Sequence, residues 1–149
     1  MRIDELELVC QEAARGVAQR SSRPLPATIV LPLPGATRVT ALEGWPDDDD
    51  DRGALLARFA QEVMGPENAP CYGFVAEGVA ATDAEQPMDV VVVAFGARGH
   101  HPRITAAPLH DDGVGEFTAS ESLAPAALPF LAPLQRAVDG AGPPDAFAG

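Results

Sequence analysis

The run from Val90 to Phe95, VVVVAF, constrains the fold of this chain more than any other segment. Side chains of a β-strand alternate between two faces, and this run is apolar on both. It therefore predicts a central strand whose two faces are both covered by other elements. A chain of 149 residues is long enough for one domain built around such a strand.

Helical periodicity precedes that strand in two places. Apolar residues recur every three or four positions over about residues 3–19, and again from Leu55 to Met64. The second helix follows the aspartate run Asp47–Asp51, and one of the last of these aspartates is expected to cap it. Gly65-Pro66 is expected to end it.

The last third of the chain carries three prolines spaced four residues apart, Pro125, Pro129 and Pro133. Each interior proline costs a helix about 3 kcal/mol, which argues against one unbroken helix. We expect a kinked or segmented helix whose last turns run from about Pro133 to Asp139. The sequence does not indicate what the proline stripe does.

The remaining regular segments have the composition of strands. They are Ala27–Leu33, Thr37–Glu43, Cys71–Val79, Arg103–Leu109 and a short strand expected at Glu116–Thr118. Pro34-Gly35 joins the first two as a hairpin. Pro32 cannot donate to a ladder, so the first strand is expected to be an edge or to carry a bulge.

The order α-β-β-α-β-β-β-α predicts an α+β fold: an antiparallel sheet of about five strands with helices packed on it. We expect a single α+β domain over residues 1–140 and a disordered tail over 141–149. The same order occurs in roadblock and longin-type modules, which is a similarity of order alone and implies no function.

Three stretches carry a resemblance to a known family: Tyr72–Gly78, Val90–Phe95 and Arg103–Leu109. Over about residues 70–110 the chain resembles a family of small, uncharacterised bacterial α+β proteins. That family pairs an aromatic-rich strand ending in an acid with a valine-rich strand and a hairpin. The resemblance implies no activity, and this chain places small residues after Glu77 where the family pattern has aromatic ones.

Composition excludes several classes of function. All ten basic residues are arginine, against twenty-two acidic residues, so the formal net charge is −12. Without lysine there is no Schiff-base amine, pyridoxal anchor or lysine phosphate clamp. The acidic balance argues against nucleic acid and membrane partners, which require basic surface. Two isolated thiols, Cys10 and Cys71, and an N-terminus without a signal-peptide pattern predict a cytoplasmic location.

The candidate ligand-binding residues are Arg98, His100, His101 and Arg103, in the predicted turn after the central strand. Two arginines and two histidines there could hold a small anion. A divalent metal would need His110 as well, but His100 and His101 are neighbours that point apart in extended backbone, so no metal site is predicted.

Other chemistry is weaker. Cys71 beside a histidine could be a nucleophile, but an ordinary half-buried thiol is the alternative that we favour. Asp47–Asp51 fails the calcium-loop register, since the twelfth residue from Asp48 is Phe59; weak cation binding stays open. Glu77 and Glu116 are the carboxylates whose burial could raise a pKa for acid–base work. No catalytic residue and no cofactor is predicted.

Two functions from different classes remain. The first is a small acidic, non-enzymatic interaction module that acts through protein–protein contact, by self-association or with another protein, because few aromatic residues cover the apolar faces of the sheet. The alternative is a binder or enzyme for a small anionic ligand or divalent metal around the turn from Arg98 to Arg103. Nucleic-acid mimicry by acidic surface ranks last.

Overall fold

The computed structural model describes residues 2–80 and 87–141. Its helices are α1 (Ile3–Arg20), α2 (Asp49–Phe59), which continues through a π-helical turn (Ala60–Met64) into α3 (Gly65–Glu67), a 3-10 turn (Pro129–Leu131) and α4 (Ala132–Asp139). Its strands are β1 (Thr28–Leu33), β2 (Ala36–Ala41), β3 (Cys71–Ala80), β4 (Met88–Ala97), β5 (His100–His110), β6 (Gly113–Val114) and β7 (Glu121–Ser122).

The strands form one antiparallel sheet in the order β2-β1-β3-β4-β5-β6, with β7 paired to β5 beside this path. The α+β class is confirmed, but the expected count of about five strands is low, since the described residues contain seven. The two additional strands are only two residues long, and neither has a hydrophobic period that a sequence pattern could reveal.

The predicted strand at Glu116–Thr118 is wrong. Thr118 does run beside β5, where its backbone N–H donates to the carbonyl of Ala106 at 2.9 Å. Its carbonyl accepts from the Thr105 hydroxyl at 2.6 Å. Because a threonine side chain takes over part of the pairing, the segment follows β5 without forming a ladder.

The central position of the valine run is confirmed. Strand β4 lies between β3 and β5, and Val91, Val93 and Phe95 are fully buried in a cluster that includes Leu6 and Cys10 of α1. Ala94 belongs to a second buried cluster, shared with α2 and α4. The sheet is therefore covered by α1 on one face and by the other helices on the opposite face.

The first strand is not an edge, because β1 lies between β2 and β3. Its pairing with β3 nevertheless stops at Val30↔Gly73, two residues before Pro32. Leu42 N–H donates to the Ala27 carbonyl at 2.8 Å, which fixes the alternation of the β1–β2 ladder so that the Pro32 nitrogen faces the β3 side. Proline thus occupies the position where pairing with β3 has ended.

The ends of α2 differ from expectation. Asp48, the second aspartate of the run rather than one of the last, is the N-cap and accepts from the N–H groups of Asp50 and Asp51 at 2.8 and 3.0 Å. Gly65-Pro66 does not end the helix, because Pro66 lies in the first turn of α3, where proline needs no N–H partner. The helix ends at Asn68, which adopts a left-handed φ of 53°.

The C-terminal segment is divided as predicted. Pro129 begins the 3-10 turn, Pro133 is the second residue of α4, and Pro125 lies in the turn before them. Leu134 and Val138 of α4 are fully buried against the sheet. Most of the predicted tail, residues 142–149, lies outside the described residues.

Candidate functional site

The predicted ligand cluster straddles the β4–β5 turn. Only Arg98 and Gly99 form the turn, with Gly99 at a φ of +73°, while His100 and His101 already belong to β5. A hydrogen bond ties the turn to α4, since the Gly99 N–H donates to Asp139 Oδ1 at 3.0 Å. His100 is half-buried and His101 is exposed.

Arg103 and His101 contact different residues of the segment that follows β6. The Arg103 guanidinium donates from Nε to Ser120 Oγ at 3.0 Å and from its terminal nitrogen to the Ser120 carbonyl at 2.6 Å. His101 Nε2 lies 3.0 Å from the Leu123 carbonyl. Both side chains therefore bind the residues on either side of β7, Ser120 and Leu123. The spacing of the sequence did not indicate this role.

Metal ligands do not converge in the part of the chain that is described. Among residues 2–80 and 87–141, no group of three or more His, Cys, Asp or Glu side chains could hold an ion. His110 lines a polar hollow of about 430 Å³ at the end of β5, together with Arg15 and Arg23. Arg15 is committed to the carbonyls of Val114 and Gly115, at 2.9 and 3.1 Å.

Both thiols are buried. Burial raises the pKa of Cys71 to about 12 from its ordinary 9.0, and it raises the pKa of Cys10 further still. A nucleophilic cysteine requires the opposite shift, towards the thiolate. The environment of Cys71 is thus that of an unreactive core thiol.

Glu77 has the opposite character from a general acid. The Arg23 guanidinium, whose terminal nitrogen lies 3.1 Å from Glu77 Oε2, lowers the pKa of this carboxyl, and an N–H bond from Leu25 at 3.1 Å lowers it further. Asp89 joins the same arginine at 2.6 Å. No sequence pattern links Arg23 to a carboxylate 54 residues away, so sequence reasoning missed this pair.

The edge strand β2 is an accessible pairing surface, because it ends the sheet order and is exposed along nearly its whole length. In an antiparallel ladder, every second residue turns its N–H and C=O away from its neighbour. The Leu42-to-Ala27 bond fixes that alternation. The backbone groups that point away from β1 belong to Thr37, Val39 and Ala41.

An apolar hollow adjoins this edge, between β2 and one flank of α1. The hollow measures about 450 Å³, and α1 contributes a stripe at intervals of four residues, Leu8, Glu12, Gly16 and Arg20. Leu8 is 62% exposed and Val39 is 39% exposed. We call β2 and this stripe the β2–α1 surface. Sequence reasoning expected the edge at Pro32 and therefore missed it.

Comparison with known proteins identifies no relative of this chain. The chain matches no family model, no curated protein and no solved structure. Within residues 2–80 and 87–141, no helix is both long and apolar enough to cross a membrane. Functional hypotheses for this chain therefore start from the geometry of the described residues.

Proposed function

We propose that this chain is a small acidic, non-enzymatic contact module whose β2–α1 surface pairs with a second copy of the same chain. The observation that carries the proposal is the outer edge of β2, which pairs with no other strand among residues 2–80 and 87–141. Three outward-facing residues offer backbone donors and acceptors, and the strand contains neither proline nor lysine to discourage pairing.

A second copy fits this edge in a symmetric register. Two-fold pairing of antiparallel strands centred on Val39 places that residue opposite its own copy, with their outward backbone groups facing each other. Arg38 then lies opposite Thr40 rather than opposite another arginine. Thr37 lies opposite Ala41. Residues 37–41 of β2 are paired with one another, Ala36 lies opposite Leu42 just beyond the strand, and no like charges are directly opposed.

The local charge also favours a second copy. The chain as a whole carries −12, which opposes association at random. The β2–α1 surface instead carries both signs, with Glu12 and Arg20 on the α1 stripe and Arg38 on the strand. Association there buries Leu8 and Val39 without bringing acidic patches together.

The test is a Val39→Pro variant, because the Val39 N–H points away from β1. Proline at this position removes one edge donor and leaves the β1–β2 ladder intact. We expect the wild-type chain to form dimers in sedimentation equilibrium at micromolar to submillimolar concentrations. Val39→Pro should remain monomeric with an unchanged far-UV circular dichroism spectrum.

Val39→Thr is the matched control, since it keeps the N–H and nearly the same shape. It should retain most of the association. A wild-type chain that stays monomeric at every concentration would show that the partner is not a second copy. A dimer that persists in Val39→Pro would show that the contact lies elsewhere.

A second candidate function is a binder for a small anionic ligand or a divalent metal around the turn from Arg98 to Arg103. One observation favours it: His101 lines a cleft beside that turn. Thermal melting against panels of anions and divalent metals tests it. A shift of several degrees that disappears in His101→Ala supports this candidate, and the absence of any shift counts against it.

A further inference from the structure

We infer that a cleft beside α4 binds a compact apolar molecule that carries one carboxylate, such as a medium-chain or aryl-alkyl carboxylic acid. The cleft lies between the start of β5, the segment from Leu123 to Pro129, and α4, and measures about 280 Å³. This is near the lower end of the range of about 300–1,000 Å³ that is typical of small-molecule pockets. The inference is independent of association through β2.

The walls of the cleft are apolar. Leu123 and Leu131 are buried and form its inner part, while Leu128 and Ala132 lie nearer to the solvent. Apolar area removed from water stabilises a bound molecule by about 25 cal/mol per Å². An apolar body of the ligand therefore has a matching surface to cover.

Prolines explain why the cleft is preformed. Pro102, Pro125 and Pro129 all line it. A proline ring has a fixed φ and almost no side-chain entropy to lose, so these walls neither collapse into the space nor pay an ordering cost when a ligand enters. The proline stripe, whose role the sequence left open, thus contributes two of its three members to this wall.

Of the polar side chains that border the cleft, those of Tyr72, His101 and Gln135 are already hydrogen-bonded to protein partners. The Tyr72 hydroxyl donates to Gln135 Oε1 at 3.2 Å, and Gln135 Nε2 donates to the Ala97 carbonyl at 3.0 Å. His101 Nε2 lies 3.0 Å from the Leu123 carbonyl. A ligand rich in hydroxyls would find few groups to satisfy it, whereas an apolar one displaces no hydrogen bond.

Arg136 supplies the charge complementarity at the mouth of the cleft. It is exposed, and within residues 2–80 and 87–141 its guanidinium makes no hydrogen bond or ion pair. Asp139, one turn further along α4, is occupied by Gly99 and Gln135. A guanidinium fork pairs best with a carboxylate, which sets the expected head group of the ligand.

The experiment is titration of the full chain with three probes of equal chain length, octanoate, octanol and octylammonium, followed by ¹H–¹⁵N NMR. We expect octanoate to perturb amides around Leu123, Leu128 and Gln135, and to bind at least tenfold more tightly than octylammonium. Arg136→Gln should weaken octanoate about threefold, the loss expected for a solvent-exposed ion pair, and leave octanol unchanged. Arg58→Gln, an exposed arginine on α2, is the matched control and should have no effect.

Filling the cleft tests its location. Leu128→Trp should abolish binding of octanoate and octanol alike. If this variant fails to fold, Ala132→Leu, at an exposed position, provides the same test and should have the same effect. The inference is overturned if millimolar octanoate perturbs no cleft amides, or if both filled variants still bind. It is also overturned if octanoate binds no better than octanol and is insensitive to Arg136→Gln. Each of these outcomes leaves association through β2 untouched.

Discussion

The Tyr72 hydroxyl on β3 donates a hydrogen bond of 3.2 Å to Gln135 Oε1 on α4. Gln135 in turn donates from Nε2 to the carbonyls of Ala97 and His100, at 3.0 and 3.2 Å. One glutamine side chain thereby ties three strands to α4. Burial also raises the pKa of the Tyr72 phenol above its ordinary value, which keeps the donating proton in place.

Gly96 leaves space for the hydrogen bond between Tyr72 and Gln135, because a Cβ built at Gly96 would lie 2.7 Å from the Tyr72 hydroxyl and would clash with Gln135 Oε1. We therefore expect Gly96→Ala to lower the free energy of unfolding by about 1–3 kcal/mol, as overpacking does. Urea unfolding measures the loss.

Gly53→Ala on α2 is the control of opposite sign. Among the described residues, a Cβ at Gly53 meets only the Phe130 Cα, at 4.0 Å. Alanine in a helix interior should stabilise the chain by about 0.5–1 kcal/mol relative to glycine. Equal effects of the two substitutions would contradict the steric role of Gly96.

Arg52 is held between two aromatic rings. Its guanidinium carbon lies 5.3 Å from the Trp45 ring centroid and 5.6 Å from that of Phe130, and its Nε donates to the Pro46 carbonyl at 2.7 Å. Lysine cannot reproduce the planar stacking and the Nε bond together. Arg52→Lys should cost about 1–2 kcal/mol of stability in thermal melts and shift the emission of the single tryptophan. Arg58→Lys, at an exposed position on the same helix, should change neither the stability nor the tryptophan emission. If Arg52→Lys leaves the stability unchanged, the stacking contributes nothing to it.

Local periodicity was sufficient to predict the parts of the fold that bury a regular stripe. Helix α1 follows its apolar spacing, with Leu6, Cys10 and Val17 buried. The two faces of β3 also separate as the alternation indicates, with Phe74 in one cluster and Val75 in the other. These patterns are readable because burial repeats with the backbone period.

Long-range pairing decided what the sequence could not show. Strand β1 would be an edge if it paired with β2 alone, but it also pairs with β3. Pro32 prevents a backbone hydrogen bond to β3 at its own position only, and the pairing with β3 lies earlier in the strand. The candidate cluster dispersed for a similar reason, since Arg103 pairs with Ser120 across 17 residues. Contacts of this kind leave no spacing in the sequence, because Arg103 lies in a regular strand whereas Ser120 lies in an irregular segment that has no period.

The thiols provide a direct check on burial. Because the pKa of Cys71 is raised from 9.0 to about 12, its thiolate fraction at pH 8 should fall about a thousandfold. We expect neither Cys10 nor Cys71 to react with Ellman's reagent within minutes in the native chain, and both to react at once in 6 M guanidinium, a strong denaturant. Rapid native labelling, mapped to Cys71 by mass spectrometry, would instead reveal a reactive thiol.

The pair of Arg23 and Glu77 predicts a defined loss of stability in acid. The hydrogen bond from Arg23 holds the pKa of Glu77 below its ordinary 4.5, so well above pH 4.5 the carboxylate is ionised in both states and its stabilisation is complete. As the pH falls below 4.5, the unfolded chain takes up the proton first. Stability should therefore decline until the pH has passed through the lower pKa of the folded state.

Glu77→Gln should reduce the slope of the unfolding free energy against pH in this window. Urea titrations between pH 5 and pH 3 measure the slope, because carboxyl groups ordinarily have pKa values of about 4. Arg23→Gln should reduce the slope similarly, since it removes the main cause of the shift. The double variant should have nearly the slope of Glu77→Gln, because once the Glu77 carboxyl is gone the Arg23 substitution removes only the more exposed contact with Asp89. Additive changes in slope, or a Glu77→Gln profile that coincides with the wild type, would mean that the ion pair does not govern the acid response.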